Sequence, residues 1–208
     1  MDERREEARD AIRFRVWCGY YDRREVFDAV DEDVFESDGE DEVWLRRAVA
    51  AEFRKKRVAE RGWPAVTTCD RLDRVFESLR GCGVLTRQRC GLTIQDGLDV
   101  IDGLHAEAGG KRSGLVGYCF YHLQDMEGAM FGSRGLWLAF GSFPPSKAGA
   151  VAVGHLVREE FERAGFAVGW DGTFESRLLL SGFEWQRRSP DAEPGAAADR
   201  GRKAGPGS

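Results

Sequence analysis

The chain has 208 residues, 42% of them hydrophobic and 32% charged, with a formal net charge of −5. That supplies enough apolar material for one packed domain with an appendage, and too acidic a balance for non-specific binding to nucleic acid or to an anionic membrane surface. No apolar run approaches the roughly twenty residues of a membrane helix. The first thirteen residues are charged throughout, so no secretory leader is expected, and five cysteines with no short pairing fit a reducing compartment, the cytoplasm.

Residues 1–83 read as a helical N-terminal part packed on the core. Leu45, Ala48, Val49 and Phe53 recur at the spacing of one helix face. The preceding segment, 31–42, holds eight carboxylates in twelve residues and no base. A calcium loop turning at Gly39 would put Val34 and Leu45 at its first and last ligand positions, and neither has an oxygen to give, so the segment reads as an acidic, solvated linker. Arg54-Lys55-Lys56-Arg57 reads as a basic helix face that balances it. A further helix carries Leu72, Val75, Phe76 and Leu79 on one side and ends at Gly81-Cys82-Gly83, where glycine accommodates a left-handed cap.

From residue 84 the period changes. Strands are expected over 84–88, 115–122, 136–140, 166–170 and 174–180, with 183–187 as one more short candidate. Thr93 caps a helix bearing Ile94, Leu98, Ile101 and Leu104. Pro144-Pro145-Ser146 precedes another bearing Ala150, Val153, Val157 and Phe161. Asp171-Gly172 is spaced as a tight hairpin turn. The fold class is therefore α+β: an antiparallel sheet over 84–188 in β-α-β-β-α-β, ferredoxin-like, order, preceded by the helical N-terminal third. Residues 189–208 contain no large apolar side chain and are expected to be a disordered tail.

There is no Cys-x-x-Cys pair, no phosphate loop, no dinucleotide fingerprint and no nucleophile elbow, so neither a metal nor a cofactor is expected. The densest polar cluster lies in 117–129, with His122, Gln124, Asp125 and Glu127. If the strand runs through 122, then Val116, Tyr118, Phe120 and His122 share a face and His122 stands partly exposed at the strand end. Two readings are open. His122 with Asp125, Glu127 and Asp96 can form a catalytic group, in which a carboxylate raises the histidine pKa above its ordinary value and fixes its tautomer. Alternatively the same residues cap a helix starting near Gln124.

A second cluster, Trp170, Asp171, Arg177, Trp185, Arg187 and Arg188, reads either as an aromatic and cationic binding surface or as a turn plus core. Cys90, close to the Thr93 cap, is either a thiol of lowered pKa that can pair with His122 or a buried structural cysteine.

The segments CGLTIQDG (90–97), GYCFYHLQDMEGA (117–129), LWLAFGSF (136–143), GWDGTFESRLLL (169–180) and WQRR (185–188) together resemble a bacterial domain-of-unknown-function family common in actinobacteria. The resemblance covers about 40–188 and implies a polar signature of Gln95, Asp96, His122, Gln124, Asp125, Glu127, Trp170, Asp171 and Arg177. The residues themselves favour a non-enzymatic interaction or ligand-binding domain of an accessory, immunity-like or regulatory kind, with a protein partner or a small ligand. The alternative is a small hydrolase or metal-dependent enzyme built on His122 and nearby carboxylates. Nucleic-acid binding comes third, supported only by 54–57.

Overall fold

The computed structural model describes residues 2–35, 39–132 and 135–190. The described residues divide into two compact units, one formed by those up to 67 together with 186–190, the other by those between 68 and 185. Among the described residues no helix is long and apolar enough to cross a membrane.

The first unit is helical. Helix α1 spans Asp2–Cys18, α2 Arg23–Val30 and α3 Gly39–Glu60. Ala8, Ile12 and Val16 of α1 repeat every fourth residue and meet Val26, Val30, Leu45, Val49 and Phe53 in one buried cluster. Asp22 starts α2 with a reciprocal capping box to Glu25. The acidic segment begins not as a free linker but as a π-helical turn over Asp31–Phe35; residues 36–38 lie outside the described residues.

Lys56 is fully buried, not part of a basic surface, and its ammonium donates to the Val16 carbonyl at 2.9 Å with Glu60 at 3.8 Å. The segment after 185 closes this unit. Arg187 lies over the Tyr20 ring at 4.4 Å, and Arg188 donates to the Pro64 carbonyl. Ser189 is buried and donates its N–H and hydroxyl to Glu60. The expected disordered tail otherwise falls at 191–208, outside the described residues.

The second unit is the α+β body. Its elements are α4 (Thr68–Gly81), β1 (Val84–Arg87), α5 (Ile94–Glu107), β2 (Gly117–Phe120), α6 (Leu123–Phe131), β3 (Leu136–Ser142), α7 (Lys147–Arg163), β4 (Ala167–Gly169) and β5 (Leu178–Ser181). The sheet runs β1-β2-β3-β5-β4 and is antiparallel except for β1 and β2, which pair in parallel from Val84 opposite Gly117. A ferredoxin-like sandwich would set its first strand inside the sheet. Here the long connection through α5 returns the chain directly beside β1 in the same direction, and β1, paired with β2 alone among the described strands, is at the edge.

Period 2 sorts the sheet's contacts. Gly117 of β2 faces Val153 of α7, and Thr86 of β1 donates to the Phe76 carbonyl of α4. On the other face Phe120 and Ala139 pack with Cys90 and Ile101. Leu72, Val75, Phe76 and Leu79 are all buried, as their spacing requires.

The helix expected to start near Gln124 is α6: a capping box at His122 turns the chain soon after Phe120, so a helix stands between β2 and β3, which the β-α-β-β-α-β order joins directly. Two local expectations change. The tight Asp171-Gly172 turn is instead a wide loop, 170–177, since β4 and β5 pair only from Gly169 opposite Leu179. The Asp171 carboxylate organises that loop, accepting from the Thr173 N–H and hydroxyl at 2.8 Å each and from the Ser176 hydroxyl. Finally, 183–187 forms no strand. Phe183 stacks on Phe166 and Trp185 meets Tyr121 edge-on, so this stretch is held by its rings.

Candidate functional site

His122 occupies the N-cap of α6, with extended backbone at φ −98° and ψ 174°. The Asp125 N–H donates to its Nδ1 at 3.2 Å, and the His122 N–H returns a bond to Asp125 Oδ2 at 3.3 Å. An Nδ1 that accepts leaves the ring proton on Nε2 in the neutral form. Nε2 lies 3.0 Å from Asp125 Oδ2 and 3.3 Å from Arg177 Nη1. Arg177, at the end of the 170–177 loop, donates from Nη1 to Asp125 Oδ1 at 2.9 Å and Oδ2 at 3.0 Å. Its guanidinium carbon stands 5.4 Å from the centre of the Trp137 ring on β3.

The histidine and the aspartate are withdrawn from solvent, while Arg177 is partly exposed. His122 is 6% exposed, and the Asp125 side chain 4%. Burial pushes the His122 pKa below its ordinary value; Asp125 and, more weakly, Asp96 oppose that, while Arg177 reinforces it. The expected partly exposed histidine with a raised pKa is therefore corrected. Its carboxylate partner is present, but desolvation outweighs it and the arginine offsets it.

Beside this cluster, between α6 and β3, is a groove of about 380 Å³. Gln124 and Asp125 line one end; Gly128, Phe131, Gly132, Gly135 and Trp137 line the rest. Glycine has a distinct use at two of these positions. Gly135 has φ +87°, and a Cβ there would stand 2.2 Å from the Leu180 carbonyl oxygen. At Gly128 a Cβ would meet nothing within 4 Å, so the missing side chain is part of the groove's space.

The other predicted site residues are distributed as follows. Asp96 is exposed and completes the Thr93 capping box, accepting from the Thr93 N–H at 2.9 Å and hydroxyl at 3.0 Å; those bonds hold its carboxyl below the usual range. Glu127 is exposed on α6 and is not among the hydrogen-bond or ion-pair partners of His122 in the described residues. Cys90 is buried, its thiol bonded to the Gly97 carbonyl at 3.4 Å and its pKa pushed up, the reverse of an activated nucleophile. Asp171 is likewise held low by the hydroxyl of Ser176 and the N–H of Thr173. Trp170 packs edge-on against Phe140 and His155 and donates to the Thr173 carbonyl. Trp185 packs against Tyr121 and Phe183, whereas Arg187 belongs to the helical unit. Among the described residues no group of three or more His, Cys, Asp and Glu side chains is placed to hold a metal ion.

Two clusters that look separate in the sequence thus meet through Arg177. The sequence reading missed Trp137, Phe131 and the three glycines of the groove. One signal was available: on its face of β3, Trp137 is followed only by Ala139 and Gly141, neither large enough to cover a ring.

The chain belongs to a family defined as a domain of unknown function, DUF6891, whose model matches residues 1–189. The match takes in the N-terminal helices as well as the 40–188 stretch that carries the motifs. No curated protein and no solved structure matches the chain.

Proposed function

Taking membership of that family as the premise, we propose that the chain is a non-enzymatic binding domain whose ligand, a small molecule or a single side chain of a protein partner, enters the groove between α6 and β3. The observation that carries this reading is the contrast between a polar cluster that satisfies itself and the open space beside it. A general base needs a free imidazole lone pair within reach of a substrate proton. The lone pair of His122 on Nδ1 is taken by the Asp125 N–H, and Nε2 faces Asp125 and Arg177 inside a buried site. The groove, by contrast, offers two aromatic side chains, glycine-lined space and the exposed amide of Gln124, the mixture of apolar wall and few polar groups typical of a ligand pocket. In this reading His122, Asp125 and Arg177 are positioning residues: they fix the start of α6 and hold the guanidinium beside Trp137.

The test is a screen of small aromatic fragments by ligand-observed NMR on the full chain, followed by Gly128→Leu, which fills the groove from a position with no neighbour to displace. Fragments that perturb the Trp137 indole signal and lose binding in the variant are expected. Ester or phosphoester hydrolysis by the purified protein that disappears in His122→Asn would overturn the proposal in favour of the hydrolase.

A further inference from the structure

We propose that the helical unit carries a second, independent site, between α2 and α3, for a small organic anion: a carboxylate or phosphate head on an apolar body. A cavity of about 560 Å³ opens between these helices, within the range of small-ligand pockets. Arg23, Arg24 and Arg46 line it against a single carboxylate, Asp28. Three guanidiniums gathered on one concavity are notable in a chain whose net charge is −5. Their floor is apolar, formed by Phe27 and the buried Val49.

The three arginines are committed to different degrees. Arg46 gives Nε and Nη2 to Glu42 and lies over the Phe27 ring at 4.3 Å, so it is held in place above the floor. Arg24 meets Asp28 at 3.5 Å, with both side chains mostly exposed; such a pair is weak in water and is readily exchanged for a better anion. Arg23 contacts the Phe53 ring at 5.7 Å and has no hydrogen-bond or ion-pair partner among the described residues. Its planar fork of donors matches the paired oxygens of a carboxylate or phosphate. The capping box at Asp22 and Glu25 fixes the start of α2, and with it the place from which Arg23 and Arg24 project. An anion alone would leave the Phe27 and Val49 floor wet, and an apolar molecule alone would leave the guanidiniums unmatched. The ligand that uses the whole cavity has both parts.

The experiment titrates the ¹⁵N-labelled full chain with phenyl phosphate, benzoate, inorganic phosphate and benzyl alcohol. Phenyl phosphate and benzoate are expected to shift amides of α2 and α3, phenyl phosphate the more strongly because of its larger charge, with inorganic phosphate and benzyl alcohol each binding more weakly. Relative strength of the two heads identifies which anion the site prefers. Arg23→Gln, at an exposed position with no polar partner to lose, is expected to weaken binding by about tenfold, the scale of one charge-assisted hydrogen bond; Arg46→Gln is the second variant, and circular dichroism checks that each retains its helices. Absence of binding at millimolar concentrations would overturn the proposal. So would benzyl alcohol binding as well as benzoate, affinity unchanged in both variants, or shifts confined to α6 and Trp137. The last outcome would place the ligand in the other groove and leave the reading of that groove standing.

Discussion

Asp125 holds both nitrogens of the His122 ring: its main-chain N–H donates to Nδ1 at 3.2 Å and its carboxylate stands 3.0 Å from Nε2. One residue therefore sets the tautomer, completes the capping box and competes with desolvation for control of the ring's charge. Desolvation wins, and the folded pKa lies below the unfolded one. Between those two values the unfolded chain binds more protons, so stability must fall with acid. This contribution is fully present above the unfolded value of about 6.5 and is lost as pH drops through the lower, folded value.

His122→Asn tests this directly. Asparagine supplies an N-cap acceptor of comparable or better quality and cannot titrate. Urea unfolding of both proteins from pH 7.5 down to about 5 is expected to show a smaller loss of stability in the variant across the histidine range. An identical acid dependence would show that burial and the carboxylate cancel at the ring, and an NMR titration placing His122 above the ordinary value would show that the carboxylate prevails over burial.

The ion pair is asymmetric, and its two halves should not be equivalent. The Asp125 side chain is 4% exposed and that of Arg177 31%. Arg177→Met strands a buried carboxylate and is expected to cost about 2–3 kcal/mol, below the full penalty for breaking a buried pair because the arginine is partly solvated. Asp125→Asn keeps the shape and an acceptor while leaving a cation that can reach water, at about 1 kcal/mol. Chemical denaturation of the two variants decides the order, and the reverse order would mean that the arginine, not the aspartate, carries the desolvation cost.

Local pattern and long-range closure were unequally legible. The stripe Leu72, Val75, Phe76, Leu79 fixes one face of α4 through a 3.6-residue period, and all four are buried. The meeting of His122 with Arg177 spans 55 residues of sequence. It depends on β5 lying beside β3, a pairing that no local period encodes. The shift of Asp171 from tight turn to wide loop has the same origin: Asp-Gly is a turn signal by itself, but side-chain bonds to Thr173 and Ser176 select a different closure. Lys56 shows the limit of composition, because a lysine within a basic run looks solvated until the Val16 carbonyl that receives it is known.

Helix α5 separates two isoleucines that share an apolar stripe in the sequence. Ile101 is fully buried against Phe120, Cys90 and Ala139, whereas Ile94, at the first turn, is 42% exposed. Ile101→Ala is expected to cost about 2–4 kcal/mol through lost burial and the cavity left behind. Ile94→Ala should change stability by less than about 0.5 kcal/mol, the usual range for a surface site. Equal effects in thermal or urea unfolding would mean that α5 sits differently on the sheet.

The same helix allows a sharper comparison between two glycines. Replacing glycine by alanine inside a helix ordinarily stabilises it by up to about 1 kcal/mol, because the unfolded chain loses freedom. At Gly103 a Cβ would meet nothing within 4 Å, so Gly103→Ala should gain close to that amount. At Gly97 a Cβ would stand 2.3 Å from Cε2 of Phe120 and 2.7 Å from the Cys90 carbonyl oxygen. Phe120 is fully buried and Cys90 nearly so, which leaves neither room to retreat. Overpacking of this kind costs about 1–3 kcal/mol and outweighs the helix-propensity gain. Gly97→Ala is therefore expected to lower the unfolding midpoint while Gly103→Ala raises it, in the same helix and by the same chemical change. A gain at both positions would show that α5 can lift from β2 without penalty, and the close packing of Gly97 on Phe120 would then not be what seats the helix.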